Sequence, residues 1–486
     1  VTQSPTTGTR NRDNSSQKQG ERGELRPSGR RADSRLSEQR VLEAAGRLLA
    51  QSPSATISEI SAAAGVSRST FYRHFGDRES LLRALAEHPD ENAAPGVDEA
   101  LPPGRLGRSG GVVLDAIQVL DAVPPALLPG QLVAEAQRMA GVPVALYVLD
   151  IDGSHLLHMA GPKRLGDQLE APQAIGPELD AAGVASLRHG LTRYPGVELF
   201  ALWLRGRAIG ALIAFGRPRA PLTELARQAT AAITLADRYT DVFARAQRSK
   251  QPRAAAEIQQ SLLPPRISRI SGGEVAGNVL PSYEVAGDWF DVVENSDGVW
   301  CSLADGLGPS TRAAAASAVA LGALRASRRS GASMGESLLV MHQTLSELPG
   351  PKAEMTAALA HWDPTTYELR ICNCGHVAPM IFRVGGEAET LHFAESHGLG
   401  GRPTPKPSEH RSRLLPGDRL LMVSDGVVSQ RDGGVGLSPG ALIAAASRSQ
   451  QSSASDTVRE VHRAVLAGSP KDGLADDATA LCLATG

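Results

Sequence analysis

Asp288 and Asp305 are the first residues in this sequence whose types and spacing suggest shared chemistry. Asp288 opens a strand-like run, Asn295-Ser296-Asp297-Gly298 reads as a hairpin turn, and Val299-Trp300-Cys301-Ser302-Leu303-Ala304 returns toward Asp305-Gly306. Pairing residue 294 with residue 299 sets Asp288 opposite Asp305; a two-residue turn would shift the pairing by two and leave them diagonal neighbours. Facing positions hold their Cβ atoms about 4.5–5.5 Å apart, and like charges that close repel unless cations lie between them. A hairpin end carrying two acids and a glycine therefore suits a binuclear cation site. Further acids arrive at the edges of apolar strands. Leu420-Leu421-Met422-Val423-Ser424 runs into Asp425-Gly426, and Asp476-Asp477 precedes Ala478-Thr479-Ala480-Leu481-Cys482-Leu483. A single Asp-Gly is ordinarily just a turn. Four such positions in one block point to metal-assisted chemistry, with Asp288, Asp305, Asp425 and Asp476 as the candidate catalytic acids.

The elements that must position these acids fall in the last of three blocks, within a chain of 486 residues that is long enough for about three domains. The breaks lie before Leu36, across the Pro/Gly/Asp-rich stretch from His88 to Gly111, and at Leu262-Leu263-Pro264-Pro265. The expected organisation is a disordered tail over 1–35, a helix-turn-helix over 36–88, a linker over 89–111, a sensor domain over 112–221, a helical connector over 222–264 and a catalytic domain over 265–486. The chain is therefore read as multidomain: all-α, then α+β, then a sandwich of sheets and helices.

In the first block, Val41, Leu42, Ala45, Leu48 and Leu49 recur at helical spacing, as do Ile57, Ile60 and Ala64. Gly65-Val66-Ser67 then breaks the pattern, with Ser67 able to cap a third helix from Arg68 to Phe75. In the second block Val144–Asp150, Glu198–Leu204 and Ile209–Phe215 read as strands, the last two flanking a turn at Arg205-Gly206-Arg207. His155 and His158 there read as surface or core histidines, and no cofactor residue is named. From Leu222 an apolar stripe of Leu225, Ala229, Ile233, Ala236 and Phe243 predicts a helix, broken at Pro252 before a shorter one carrying Ala256, Ile258 and Leu262. Such a connector serves either as a homodimer seam and signal transmitter or as an amphipathic helix packed on its own domain.

Composition excludes several classes. Hydrophobic residues make up 42% and charged residues 21%, with a net charge of -2, and no apolar run nears the ~20 residues that span a bilayer. The expectation is a cytoplasmic protein without membrane attachment. Four cysteines, Cys301, Cys372, Cys374 and Cys482, are too few and too oddly spaced for a disulfide framework or a zinc knuckle. Residues 1–35 carry eight Lys/Arg against four Asp/Glu, a basic excess that fits either a solvated tail or weak attraction to nucleic acid.

Two stretches resemble known families closely. The run Thr56–Phe75, followed by Asp77, Arg78, Glu79, Leu81 and Leu82, resembles the DNA-binding segment of TetR-family repressors. The resemblance implies that the third helix enters the major groove, with Arg68, Ser69, Thr70, Tyr72, Arg73 and His74 reaching bases or phosphates. The helical ligand-binding and dimerising domain that follows in that family has no counterpart here, so a protein-docking module remains open beside DNA binding. The second block is similar to GAF sensor domains, which implies an unidentified small-molecule or protein signal.

From about Ala254 to Gly486 the chain resembles the SpoIIE/RsbU branch of the PPM-type, metal-dependent protein serine/threonine phosphatases. The matching segments are Ile258–Pro264, Ala286–Asp291, Ala304–Gly308, Asn373–Pro379, Pro416–Leu421, Ser424–Gly426 and Asp476–Thr479. This implies an α-β-β-α sandwich with two Mn²⁺ or Mg²⁺ ions. By the same resemblance Asp305 bridges both ions, Asp288 and the Gly306 carbonyl hold one, and Asp425 and Asp476 hold the other, with Asp477 beside them as a further candidate ligand. A hydroxide between the ions would attack phosphorus in line, so no protein nucleophile is required. The implied substrate is a phosphorylated anti-anti-sigma factor of the STAS type in a partner-switching pathway; the alternative is a DNA-binding regulator in which the phosphatase fold only relays. His376 reads as a packed turn residue or a general acid. Ser310, Ser424 and Ser429 depart from the family pattern without removing a candidate ligand.

Overall fold

The computed structural model describes residues 56–75, 120–248, 253–281, 287–308, 310–428, 436–449, 452–469 and 476–486, with single positions between 41 and 48 and at 80, 81 and 474. The chain divides into two units, 1–103 and 104–486. The expected tail (1–35) and linker (89–111) lie outside the described residues.

In the first unit α1 (Ile57–Ala63) starts at a capping box. The Thr56 side chain accepts from the Glu59 amide, and the Glu59 carboxylate accepts from the Thr56 amide at 2.7 Å. Gly65, with φ +66°, makes the left-handed turn that a side chain would strain, and α2 (Arg68–Phe75) follows. Val41, Ala44, Ala45, Ile60, Phe71, Phe75 and Leu81 form its core, so the apolar periodicity of the sequence is the packing face.

The second unit opens with α3 (Leu128–Ala140) and the strands β1 (Val144–Leu149), β2 (His155–Ala160) and β3 (Gln168–Glu170). Next come α4 (Ala181–Leu191), β4 (Val197–Leu204), β5 (Arg207–Phe215), α5 (Thr223–Ala236) and α6 (Val242–Ala246). The strands form an antiparallel sheet in the order β3-β2-β1-β5-β4. Its two faces carry separate cores, one under α3 and α5 and one under α4. The β4–β5 turn needs only Arg205 and Gly206, at φ 48° and 87°, the two-residue geometry that matches strand twist. Arg207, read as part of the turn, is instead a buried strand residue.

Packing decides between the two connector readings in favour of an amphipathic helix packed on its own domain. The helical run from Leu222 is interrupted between Ala236 and Val242, and its stripe of Leu222, Leu225, Ala229, Ile233, Ala236 and Phe243 is buried in the core with α3. A stripe already covered by its own sheet cannot be a homodimer seam.

The third block begins with α7 (Ala254–Leu262) and continues with β6 (Ile267–Ile270), β7 (Gly273–Leu280), β8 (Trp289–Asn295), β9 (Gly298–Leu307), α8 (Ser310–Arg329), α9 (Met334–Ser346), β10 (Glu354–Trp362) and β11 (Glu368–Cys374). It ends with β12 (Met380–Phe382), β13 (Ala388–Thr390), β14 (Glu409–Arg413), β15 (Arg419–Val423), α10 (Pro439–Ser447), α11 (Ala454–Gly468) and β16 (Ala478–Thr485). One sheet runs β14-β11-β10-β9-β8 and the other β13-β12-β15-β16-β7-β6. Phe290, Leu303, Trp362, Leu420 and Leu481 fill the layer between them. Outer layers place α8 and α9 on the first sheet and α10 and α11 on the second. This is an α-β-β-α sandwich. All four cysteines are buried and free within it.

The middle and third blocks are joined by buried charge. Glu178 accepts from the Ile267 amide at 2.7 Å and lies 3.1 Å from Arg207 Nε, with Arg266 buried beside it. Burial raises the Glu178 pKa while Arg207 and Arg266 pull it back. Asp180 caps α4 by accepting from the Gly183 amide at 2.7 Å, and its other oxygen accepts from Ser453, Ser455 and Arg459 at the start of α11. Arg459 also donates to the Gln173 carbonyl at 2.9 Å. Among the described residues no helix is long and apolar enough to cross a membrane.

Candidate metal centre at one end of the sandwich

Antiparallel pairing decides where the acids meet. Trp289 pairs with Ala304, Glu294 with Val299 and Asn295 with Gly298, so Asp288 and Asp305 are the next facing positions. The turn is the two residues Ser296-Asp297, and it brings no shift, contrary to the expectation that a two-residue turn would leave the acids diagonal. Val423 pairs with Ala480, which brings the turn after β15 and the turn before β16 to the same end of the second sheet. Asp425 and the Asp476-Asp477 pair therefore converge on Asp288 and Asp305 from the opposite layer. Four strand ends supply five carboxyl groups within electrostatic reach of one another.

Asp288 is 1% exposed and Asp305 is 5% exposed, whereas Asp425 and Asp476 are only half-buried. Burial first, then Asp305 and Asp477, push the Asp288 pKa well above the carboxylate range, against hydrogen bonds from Thr479 and Ser424. Burial and the Asp425 charge push Asp305 up to about 7, and it shares hydrogen bonds with Asp288 and Asp425. Asp476 is raised too, mainly by burial. Among the described residues no group of three or more His, Cys, Asp or Glu side chains is turned to hold a metal ion as it stands. Asp288 instead accepts from the Thr479 hydroxyl, and Asp305 is hydrogen-bonded to Asp288 and Asp425.

The residues nonetheless fit divalent cations in the chemistry of their donors and in their crowded charge. Their donors are all oxygen, which suits Mg²⁺ or Mn²⁺, and the crowding of negative charge is what bound cations relieve. The backbone is shaped for close approach as well. A Cβ on Gly287 would lie 2.1 Å from the Gly306 carbonyl oxygen, and one on Gly426 would lie 2.1 Å from the Asp477 carbonyl oxygen. The Gly306 amide donates to the Gly287 carbonyl at 3.2 Å, and Ser317 donates to that same carbonyl at 2.6 Å. Gly287→Ala should displace the Gly306 carbonyl and lower Mn²⁺-dependent turnover by about 100-fold, the scale of an ångström-size misplacement. Gly322→Ala, where an added Cβ meets nothing within 4 Å, should leave it unchanged in the same rate assay.

The raised Asp305 pKa has a definite sign. Below about 7 the carboxyl holds a proton that a cation must displace, so Mn²⁺ affinity should rise as pH climbs through about 7 and then level off. Because the folded pKa lies above the unfolded one, this group destabilises the metal-free fold progressively as pH rises from about 4 to about 7. Calorimetric titration with Mn²⁺ at stepped pH, and melting without metal, check both directions.

Several neighbours carry no signal that the acids alone reveal. Gln259 on α7 donates to the Asp288 carbonyl at 2.9 Å and to the Asp477 carboxylate at 2.6 Å. Thr356 on β10 faces Asp305 across the ladder and lies 2.8 Å from His376 Nδ1. His376 is buried and its pKa is pushed down to about 4 by burial, so at neutral pH it is an uncharged, enclosed ring that has no proton of imidazolium acidity to give. Its turn is fixed by Asn373, which accepts from the His376 amide at 2.9 Å. Asp291, in the same sequence segment as Asp288, faces away and is held by Arg325 and Arg328. Ser424 is buried and accepts from the Thr479 amide at 2.9 Å; Ser429 and the Ser310 side chain lie outside the described residues.

Of the expected DNA contacts, the Arg68, Ser69, Tyr72 and Arg73 side chains lie outside the described residues. Thr70 completes the cap of α2, its amide donating to Ser67 Oγ at 3.2 Å, and His74 packs on Phe75 with Nε2 buried. In the middle block His155 pairs with Ser154 and His158 Nε2 lies 3.0 Å from the Gly161 carbonyl.

Residues 295–486 match the family model described as Stage II sporulation protein E (SpoIIE), and residues 41–85 match that of bacterial regulatory proteins, tetR family. Over 62 residues the chain is 44% identical to the HTH-type transcriptional repressor LfrR of Mycolicibacterium smegmatis, a match covering 13% of this chain and 33% of that protein. The chain thus spans about a third of the length of the curated relative it matches. Among solved structures it is similar to the RsbU and RsbW domains of Rv1364c from Mycobacterium tuberculosis, at 23% identity, 43% of this chain, 59% of that chain and a TM-score of 0.38. The SiaA-PP2C domain of Pseudomonas aeruginosa is similar at 18% identity, 47% of this chain, 93% of that chain and a TM-score of 0.41. The PP2C phosphatase domain of SpoIIE from Bacillus subtilis is similar at 16% identity, 44% of this chain, 64% of that chain and a TM-score of 0.34.

Proposed function

We propose that this chain, with its SpoIIE-type phosphatase domain and its tetR-type helix-turn-helix domain, is a signal-regulated, metal-dependent protein serine/threonine phosphatase. The observation that carries the reading is the convergence of Asp288, Asp305, Asp425 and Asp476 from four strand ends onto one end of the sandwich. Asp305, buried within reach of both Asp288 and Asp425, would contact two Mn²⁺ or Mg²⁺ ions. Asp288 and the Gly306 carbonyl would serve one ion, and Asp425 and Asp476 the other. Bound there, the ions supply a water of lowered pKa and neutralise charge on the phosphoryl oxygens. The chain's own part is to hold the acids at fixed spacing, through Thr479 and Ser424 on Asp288 and through Ser317 on the Gly287 turn. His376 is too enclosed to protonate the leaving serine oxygen.

The finer reading draws on the SpoIIE match and the RsbU resemblance: the substrate would be a phosphorylated STAS-type anti-anti-sigma factor in the cytoplasm. The antiparallel sheet of the middle block, with helices on both faces, supports a GAF-like sensor whose signal reaches the catalytic domain through their shared interface. The tetR-family match supports a second activity, DNA binding through residues 36–88.

The test is hydrolysis of p-nitrophenyl phosphate and of a phosphorylated STAS protein by the full chain, with Mn²⁺ and with EDTA. Turnover that EDTA abolishes supports the phosphatase; a folded chain inactive with every divalent metal would move the reading to the DNA-binding alternative. A gel-shift series at rising salt tests that alternative, because phosphate contacts weaken steeply as counterions compete.

A further inference from the structure

Asp476 and Asp477 are adjacent in sequence but occupy different surroundings. Asp476 is half-buried at the rim of the acid cluster, whereas Asp477 is 1% exposed. One Asp477 carboxylate oxygen accepts from Gln259 Nε2 at 2.6 Å. The Asp477 carbonyl accepts from Ser424 Oγ at 3.3 Å and backs onto Gly426, where an added Cβ would collide with it. Asp477 is therefore held at its side chain and at its main chain by groups on the protein side of the cluster.

Gln259 is equally enclosed, at 1% exposure. Its one amide nitrogen donates in two directions, to Asp477 before β16 and to the Asp288 carbonyl before β8. These are the leading edges of the two facing sheets. Helix α7, which carries Gln259, is braced along its length: Arg248 binds Glu257, Arg266 donates to Gln260 at 2.6 Å, and Arg325 donates to the Leu262 carbonyl at 3.2 Å. A side chain on a braced helix that spans both sheet edges sets the distance between them.

We propose that Gln259 and Asp477 are a positioning pair. In this arrangement Asp477 does not ligate metal, as its sequence position suggested, but anchors α7, and Gln259 holds the Asp288 edge and the Asp476 edge at the separation two cations need. A neutral amide is the right donor, because a second carboxylate would add repulsion and an apolar side chain would remove the hydrogen bonds that reach Asp477 and the Asp288 carbonyl. The proposal rests on the reading of this site as a metal-dependent phosphatase.

The experiment uses the full chain, with Mn²⁺ affinity from calorimetry, kcat and KM on p-nitrophenyl phosphate, and a melting curve for each variant. Asp476→Asn should weaken Mn²⁺ binding by about 100-fold, while Asp477→Asn, whose amide oxygen still accepts from Gln259, should weaken it no more than about fivefold. Gln259→Leu should lower Mn²⁺ affinity and kcat by about tenfold or more with KM little changed. Gln259→Leu combined with Asp477→Asn should be no worse than Gln259→Leu alone, because the Asp477 side chain acts through its contact with Gln259. Asp477→Asn losing as much Mn²⁺ affinity as Asp476→Asn would make Asp477 a ligand and overturn the proposal. So would full affinity and kcat in Gln259→Leu. If Gln259→Leu melts below the assay temperature, the near-isosteric Asp477→Asn comparison still decides. Asp305→Asn separates the two levels: undiminished Mn²⁺ binding in that variant would sink the metal-site reading itself, whatever the Gln259 variants show.

Discussion

Asp305→Asn should remove metal-dependent hydrolysis by roughly 10³-fold or more while leaving the chain folded. The substitution keeps size and hydrogen-bonding shape and removes one negative charge from the centre of the cluster, where Asp305 couples to Asp288, Asp425 and Asp476. A group placed to serve both cations has no substitute nearby, and losing preorganised charge stabilisation of this kind costs orders of magnitude in rate. Without metal, the same variant should melt at or above the temperature of the parent near pH 8, because it carries no charge to be penalised by the burial, and then by the Asp425 repulsion, that lift the Asp305 pKa to about 7. Rate loss accompanied by a higher metal-free melting point separates a functional acid from a structural one. A lower melting point would mean that Asp305 holds the fold together.

The second large effect concerns the joint between the middle and catalytic blocks. Asp180→Ala should destabilise residues 104–486 by about 3 kcal/mol, because it strips a buried ion pair of one partner and uncaps α4 in the same step. Asp180 is 5% exposed, and its carboxylate serves the Gly183 amide, Ser453, Ser455 and Arg459 together. Arg459 would keep Asp456 and the Gln173 carbonyl as partners, which limits the loss. Calorimetry should show a drop in melting temperature of about 4 °C. Asp180→Asn should lose less, since its amide oxygen still caps α4. An unchanged melt for Asp180→Ala would show that the two blocks do not depend on this contact.

How much of the site was legible in the sequence depends on which physical rule fixes each part. The Asp288–Asp305 juxtaposition was readable because a hairpin turn sets register over a short distance, and pairing of Glu294 with Val299 leaves one choice of partner for Asp288 at the far end of the ladder. Asp425 and Asp476 were readable only as acids at strand edges. Their meeting with Asp288 and Asp305 requires two sheets to pack face to face, and the family resemblance supplied that expectation. The connector stayed open between two readings because the stripe from Leu222 to Phe243 shows that a face is apolar without showing what covers it. Only packing against α3 and the middle sheet decided that.

Gln259 and His376 mark the same boundary. Each is a polar residue of ordinary appearance in sequence, and each is enclosed by segments far away in the chain: Gln259 by Asp288 and Asp477, His376 by Thr356. The sequence by itself determined the local things: the capped helices of the first unit, the hairpins, the acids at strand ends and their suitability for divalent cations. Those depend on periodicity, turn chemistry and charge within a few residues. Tertiary structure alone decided which Asp of the 476–477 pair is enclosed, which histidine stays neutral, and that buried ion pairs join the middle block to the catalytic one. Burial and partner identity are properties of the packed chain, and they set the charge and direction of a side chain more strongly than its neighbours in sequence do.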